Sequence, residues 1–510
     1  MIVFINSYTQ NKSNRFALFS PVFPPIGVGY LASIAQKKGI RFKIFDQQIH
    51  PGIERTICKE ISFSGEPVVF AFSVVTSAFE SAIKTASFIK QKYRGCLIIF
   101  GGIHPTAMPE EVLESGSVDI AVRGEGEHIL FDIYEKYINN KPWTDIRGIS
   151  YVKNSSFIHN PDRETVDSLD DLPVFPYELF ENIPRYDLGV ILSSRGCKKN
   201  CCFCSNHIIS KKNVRYIAAG KVIDTIELLI EKYKKNHILF LDDNFLEDKV
   251  RIAELVRSIR EKKLNDKCRF SFQARCDQVD YPLLHELYLS GFRTVFFGIE
   301  TLSENLLKKI HKGLSPSVIE NAVRISSETG FKVQASFIFG LPNETYKDRI
   351  KTLNFAVQNP IDIAKFNNAV PYPGTALYNE GLQKNRICFN KDYSNADTLI
   401  GLTDGLFSKR NLPLKPDDRN NKSVKRFIIL SYLVFYLNFS RIKNIFCGGK
   451  DTIKWMYIKD KKKNFFSFKF FPLLLLFLAL FVKFSAVFFY PSKENYFYYS
   501  AIKHKMNAKP

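Results

Sequence analysis

The chain has 510 residues, a formal charge of +21 at pH 7, 45% hydrophobic residues and ten cysteines. That length suggests about three domains with ample material for packed cores, and the cysteines, scattered apart from one central group, exclude a secreted disulfide framework and point to a reducing cytosol. The charge is uneven, with 17 Lys or Arg against three acidic residues from 421 to 510, interleaved with long apolar runs. That mixture suits an anionic membrane surface better than nucleic acid, so no nucleic-acid partner is expected.

Met1-Ile2-Val3-Phe4-Ile5-Asn6 lacks the basic flank and cleavage site of a signal peptide and reads as a first strand. Short apolar runs then alternate with helical patterns at Val28 to Lys37, Phe42 to Phe45, Val68 to Phe72, Ala78 to Lys90 and Leu97 to Phe100. This alternation predicts a doubly wound parallel sheet, Rossmann-like, that binds its ligand at the carboxyl ends of the strands. Turn chemistry sits at those ends: Pro24-Pro25-Ile26-Gly27, Asp46, Ser73, Thr76-Ser77, Gly101-Gly102-Ile103-His104 and Arg123-Gly124-Glu125. In this order, over nearly all of residues 1–143, these features resemble the cobalamin-binding domain that precedes many radical S-adenosylmethionine (radical SAM) domains. The resemblance implies cobalamin contacts at Gly27, Asp46, Ser73, Thr76, Gly101, Gly102, His104, Gly124 and Glu125. The better-known Asp-x-His-x-x-Gly signature is absent, because His50 stands four positions after Asp46. His50 then reads as a loop residue, and cobalt without a histidine ligand is expected. The alternative is a flavodoxin-like domain that has lost its ligand.

Residues 144–186 carry short strands and acidic, proline-bearing turns and read as a linker. Its Leu169-Asp170-Asp171-Leu172-Pro173 resembles the linker that family members place between the two domains.

From residue 187 to 395 strand-helix alternation resumes, with strands at Val190 to Ser193, Ile238 to Leu241, Arg269 to Gln273, Thr294 to Gly298, Gln334 to Phe339 and Ala364 to Asn367. Six such units make a partial TIM-like barrel, a (β/α)6 fold with chemistry at the strands' carboxyl ends. After the first strand stand Cys197, Cys201 and Cys204 in a C-x3-C-x-Phe-C spacing. Three thiolates converging on one centre select zinc or an iron-sulfur cluster. Zinc would need a fourth ligand, Cys202 or His207, whereas a cluster held by three cysteines leaves one iron open to a small molecule. With Asp242-Asp243-Asn244, Arg275, Gly298-Ile299-Glu300 and Gly340-Leu341-Pro342 at successive strand ends, the region resembles the radical SAM superfamily. That resemblance implies a 4Fe-4S cluster on Cys197, Cys201 and Cys204, and SAM contacts at Phe203, Asp242, Asp243, Arg275, Glu300, Ile338 and Gly340. Asp242 or Asp243 would accept from the methionine ammonium, Arg275 would pair with its carboxylate, Glu300 would take the ribose hydroxyls, and Ile338 to Pro342 would wall the adenine.

Residues 396–510 carry no catalytic motif. Phe427 to Leu437 is apolar on all faces between basic residues, and Phe470 to Val482 is thirteen uncharged residues following Lys461-Lys462-Lys463. Thirteen residues rise about 20 Å as a helix, short of the roughly 30 Å hydrocarbon core. A helical region lying in or re-entering the membrane interface is expected, ahead of a spanning helix or a lid on the barrel, placing the protein in the cytoplasm, peripheral to or inserted at the inner face of the cell membrane.

The resemblance implies reductive cleavage of SAM at the cluster to a 5′-deoxyadenosyl radical and modification of an unactivated carbon, with cobalamin delivering a methyl group. Oxidative cyclisation or ring rearrangement is the enzymatic alternative, and a catalytically degenerate, membrane-tethered binding protein the other. The implied partners are a small-molecule or lipid-linked substrate and an electron donor such as flavodoxin or ferredoxin.

Overall fold

In a computed structural model of the chain, residues 1–8, 22–50, 52–61, 67–390, 393–399, 411–417 and 421–436 are described. Two parallel sheets organise them. The first contains β1 (Ile2–Asn6), β2 (Phe42–Asp46), β3 (Val69–Ser73), β4 (Leu97–Gly101), β5 (Ile120–Val122), β6 (Ile149–Lys153) and β7 (Ser156–His159). Their order is β2-β1-β3-β4-β5-β6-β7, with β1 to β5 parallel and the last two antiparallel. Ile2 to Ile5 and Val69 to Phe72 are buried on both faces, as parallel strands covered by helices must be. The order reverses between β1 and β3, which makes the ends of those two strands the crevice where such sheets bind ligands.

The first unit runs further than residue 143. Residues 149–159, assigned above to the linker, pair in register with β5 and extend the sheet, because Ile149 and Tyr151 bury against Ile129, Leu130 and Trp143. The linker proper is short and aromatic. Phe175, Tyr177, Phe180 and Tyr186 join Tyr30 and Ile49 of the first domain to the core of the second. A Cβ on Gly29 would lie 2.2 Å from the Phe175 ring, so only glycine lets that ring dock on the first helix, Ile26–Lys37.

The second sheet contains β8 (Val190–Ile191), β11 (His237–Phe240), β12 (Arg269–Ala274), β13 (Phe292–Glu300), β14 (Lys332–Phe339) and β15 (Ile363–Asn368), all parallel and in sequential order. This is the expected partial barrel. A small antiparallel ladder, β9 (Ser194–Arg195) with β10 (Arg215–Tyr216), closes the base of the loop that carries the cysteines. Phe240, Phe245, Phe270, Phe272 and Phe292 fill the space between sheet and helices with rings 4.7–6.2 Å apart.

The run from Phe427 forms part of the helix Asn421–Tyr436, which packs on β15. This corrects the expectation of a membrane-facing stretch there: Val424, Phe427, Ile428 and Phe435 belong to the barrel core. The helix also covers the sheet edge. Tyr436 and Tyr432 hydroxyls accept from the Ala364 and Phe366 backbone N–H groups at 3.2 and 3.1 Å, and the Thr398 carbonyl accepts from Asn368 N–H at 2.9 Å. Among the described residues no helix is long and apolar enough to cross a membrane. The segment from Lys461 to Tyr490 lies outside the described residues.

Candidate active site

The carboxyl ends of the two sheets face each other. They meet at Gly374, after β15, where a Cβ would lie 2.7 Å from Ile208 of the cysteine loop and 3.2 Å from Ala107 of the β4 loop. Val370, Tyr393 and Ala396, which follow β15, sit in the core of the first domain beside Phe79 and Phe100.

Burial raises the Cys197 thiol and pushes Cys204 up to about 11, and both lie near enough to Cys201 for its charge to add to the effect. Cys202 is turned into a separate apolar cluster with Ile310, Leu341 and Leu377, and its backbone is fixed by Ile310 O at 3.0 Å and Leu377 N at 2.8 Å. Among the described residues no group of three or more His, Cys, Asp or Glu side chains is spaced to hold a metal ion, and neither Cys202 nor His207 is drawn in beside the three cysteines as a fourth ligand. One buried and two half-buried thiols on a single loop suit a cluster held by three sulfurs.

Charged side chains ring the loop. Arg275 faces Cys197 and Cys201, but its fork is occupied: Nε and Nη2 donate to Asp277 at 3.0 Å each, and Nη2 also to Lys312 O at 2.6 Å. Arg275 thus has an internal carboxylate partner, with Nε and Nη2 engaged. Glu300 takes a φ of 70° at a β-bulge, which turns its carboxylate to Lys312 Nζ at 3.0 Å. Lys312 also lies 5.8 Å from the Phe203 ring. Burial works against the Lys312 charge, but Glu300 and Cys201 more than offset it and its pKa is raised. Phe203 and Ile338 share the apolar cluster that holds Cys202.

The two aspartates divide. Asp242 is fully buried and accepts from Ser193 N–H at 2.6 Å, Ser193 Oγ at 2.5 Å and Ser194 N–H at 2.8 Å. It clamps the strand that leads into the cysteine loop, and its oxygens are not free for an ammonium. Asp243 is exposed and accepts from Gly196 N–H at 3.0 Å, close enough to Cys204 to raise its pKa. Gly340 lies against Val424 at 3.4 Å for an added Cβ, and its N–H donates to Glu344 at 2.6 Å, so it too serves packing. Glu344 is pushed up to about 7 by burial although Arg349 stands 2.8 Å away.

At the edge of the first sheet, Gly102 has a φ of 104°, and a Cβ there would lie 2.9 Å from the Val74 carbonyl. Val74 and Gly101 exchange backbone contacts across the β3 and β4 ends. Gly124 N–H donates to Thr106 Oγ1 at 3.1 Å, and Gly27 is exposed on the first helix. Ser73 is half-buried at the switch point, where Tyr8 and Val75 are 37% and 47% exposed. An open, backbone-lined edge with exposed apolar side chains fits a large planar ligand. Four expected contacts are engaged elsewhere. Asp46 accepts from Asn6, Gln48 and, at 2.5 Å, the Tyr186 hydroxyl. Thr76 is buried beside His104, whose ring is fully buried against Phe79 and Tyr393 and held at about 3 by burial. Glu125 accepts from Arg215 at 2.7 and 2.8 Å and from Val166 N–H at 2.8 Å, with Arg195 at 3.3 Å. Burial opposes the Glu125 charge, but the two arginines more than offset it and its pKa is lowered. Glu127 adds a 2.6 Å contact to Arg195, whose guanidinium lies 5.2 Å from the Tyr30 ring.

Lys312, Arg195, Arg215 and Glu127 were not legible from the sequence. Each is a charged residue without local periodicity, and the partners of all but Lys312 lie far along the chain.

Comparisons with known proteins assign the two domains to families. A B12 binding domain matches residues 16–133, and the Radical SAM superfamily matches residues 191–356. The chain is 30% identical over 370 residues to an uncharacterized methyltransferase of Pyrococcus horikoshii, covering 71% of this chain and 79% of that protein. Its fold is similar to the cobalamin-dependent S-adenosylmethionine radical enzyme OxsB with aqua-cobalamin and S-adenosylmethionine bound, at 22% identity and a TM-score of 0.61, over 70% of this chain and 51% of that one. It is also similar to the radical S-adenosylmethionine methyltransferase TsrM from Kitasatospora setae with cobalamin and a 4Fe-4S cluster bound, at 17% identity and a TM-score of 0.62, over 75% and 78% of the two chains. The chain thus spans about half the length of OxsB. It belongs to the radical SAM superfamily, among the enzymes that carry a B12-binding domain ahead of the radical SAM domain.

Proposed function

We propose that the protein is a cobalamin-dependent radical SAM methyltransferase acting on an unactivated carbon of a small molecule. The observation that supports this reading is the close approach of the loop after β15, the cysteine loop and the β4 loop at Gly374, Ile208 and Ala107, which brings the carboxyl-end loops of the two sheets together. The similarity to a methyltransferase supports methyl transfer over cyclisation.

The cysteine triad would hold the 4Fe-4S cluster, Asp243, Phe203, Glu300 and Ile338 would face SAM, and the switch point near Tyr8, Ser73, Val75 and Gly102 would face cobalamin. When bound, the cluster supplies the electron that cleaves SAM, and cobalamin supplies methyl-transfer chemistry. The chain's own residues orient and exclude water. Asp242 sets the approach of the cysteine loop, while Lys312 and Arg275 put two buried positive charges beside thiolates that would otherwise be costly to bury. An external electron donor, flavodoxin or ferredoxin, belongs to the same reading.

Anaerobic incubation with methyl-deuterated SAM and a metabolite extract tests it: a product heavier by the labelled methyl group is expected, and SAM turnover without label transfer would point to another outcome. We place the enzyme at the inner membrane surface through the basic, apolar segment Lys461 to Tyr490. Full-length protein should float with anionic vesicles, and a chain ending at Asp460 should not; equal partitioning would remove the membrane location.

A further inference from the structure

The inner face of the partial barrel holds a second lysine. Along β15, Ala364, Phe366 and Asn368 are buried, and Phe366 packs on Tyr432 and Phe435 of the covering helix. Ile363, Lys365 and Asn367 therefore point the opposite way, into the barrel. Register places Lys365 beside Ser336 of β14 and Ser336 beside Gly298 of β13, the glycine whose open face accommodates Glu300 and Lys312. Lys365 thus shares one face with the charged centre described above. It lies about 10 Å below the carboxyl end of β15, at about 3.3 Å per residue.

The two lysines differ in their partners. Lys312 is paired with Glu300, whereas Lys365 has no carboxylate within ion-pairing distance among the described residues. Its ammonium lies 5.3 Å from the Phe296 ring, a contact worth about 0.5–1 kcal/mol at exposed sites and more when desolvated. Solvent reaches the side chain, yet enclosure by the barrel lowers its pKa. The neighbours are neutral and polar: Ser336 Oγ accepts from Asn367 Nδ2 at 3.0 Å, and Gln334 stands in register with Phe296 and Ile363. A solvent-accessible cation on the inner face of the barrel, with hydrogen-bonding neighbours and no carboxylate partner among the described residues, is matched by a ligand that brings the negative charge.

We propose that the barrel binds an anionic substrate, its carboxylate or phosphate group held at Lys365 with Ser336, Gln334 and Asn367, and its reacting carbon directed toward the Glu300 and Cys201 end. This rests on the reading of the site as a radical SAM centre and adds the substrate's chemical class.

The test is competitive acetylation of the anaerobically reconstituted full-length protein, followed by mass spectrometry of Lys365 and of the exposed Lys347. Inorganic phosphate and hexanoate form separate arms, with chloride at matched ionic strength. A bound anion that raises the Lys365 pKa by about one unit cuts its neutral, reactive fraction about tenfold. Protection by phosphate alone indicates a phosphorylated substrate, protection by hexanoate alone a carboxylate, and by both a site open to either, provided that Lys347 is unaffected. Equal protection by chloride, equal protection of Lys347, or a Lys365 that never reacts would overturn the proposal. Deoxyadenosine formation from SAM in the same preparation reports separately on the radical SAM reading, so either can fail while the other stands.

Discussion

Glu125 and Arg215 meet across the domain boundary, with Arg215 donating to both carboxylate oxygens at 2.7 and 2.8 Å and each side chain only 6% exposed. Arg215 lies on the ladder that closes the cysteine loop, so this pair ties the loop to the carboxyl edge of the first sheet. In Glu125→Gln two buried arginines would face the single carboxylate of Glu127. Breaking a buried pair costs about 3–5 kcal/mol, and the low end is expected because Glu127 remains. Hydrogen exchange at Ser194, Arg195, Arg215 and Tyr216 should accelerate; unchanged protection there would contradict the clamp.

Cysteine substitutions should separate sharply. Cys197→Ala, Cys201→Ala and Cys204→Ala should each lose most of the iron after anaerobic reconstitution. Cys202→Ala should keep it, since Cys202 packs among Ile310, Leu341 and Leu377. Iron and sulfide analysis decides the matter, and a full cluster in Cys201→Ala would reverse the assignment.

His104 predicts an acid sensitivity. Burial holds its folded pKa far below the ordinary value of 6.5, so as pH falls below about 6.5 the unfolded chain takes up a proton that the folded chain does not. Its contribution to stability is therefore lost toward low pH and complete above 6.5. Urea denaturation of the wild type should show a falling midpoint between pH 6.5 and 4.5, and His104→Phe should flatten this part of the profile. Parallel profiles would show that other groups govern it.

The tyrosines of the covering helix should act as edge caps. Tyr432→Phe and Tyr436→Phe each leave backbone N–H groups of β15 without their partner, at about 1–2 kcal/mol each. Stability should fall accordingly, with faster exchange at Ala364 and Phe366.

The long parallel strands of both sheets were legible because strands buried on two faces are continuous apolar runs, as in Ile2 to Ile5 and Phe337 to Phe339, whereas short β5 and the antiparallel β6 and β7 were not. The cysteine spacing was local and equally readable. Less legible was where one residue type serves two physical ends: Asp242, Arg275 and Glu125 stand at strand ends, where both ligands and internal partners are found, and only the fold shows that they also bond to Ser193, Asp277 and Arg215. The helix Asn421–Tyr436 was read toward the membrane because an all-apolar helix looks the same to lipid and to a protein core.

The most direct test of the account is the yield of 5′-deoxyadenosine when the chain, reconstituted anaerobically with iron, sulfide and cobalamin, is given SAM and a low-potential reductant. Wild type should form it, and Cys201→Ala, at matched protein concentration, should form essentially none. An iron-loaded wild type that releases no deoxyadenosine, or a Cys201→Ala protein that releases as much, would contradict the assignment of this site.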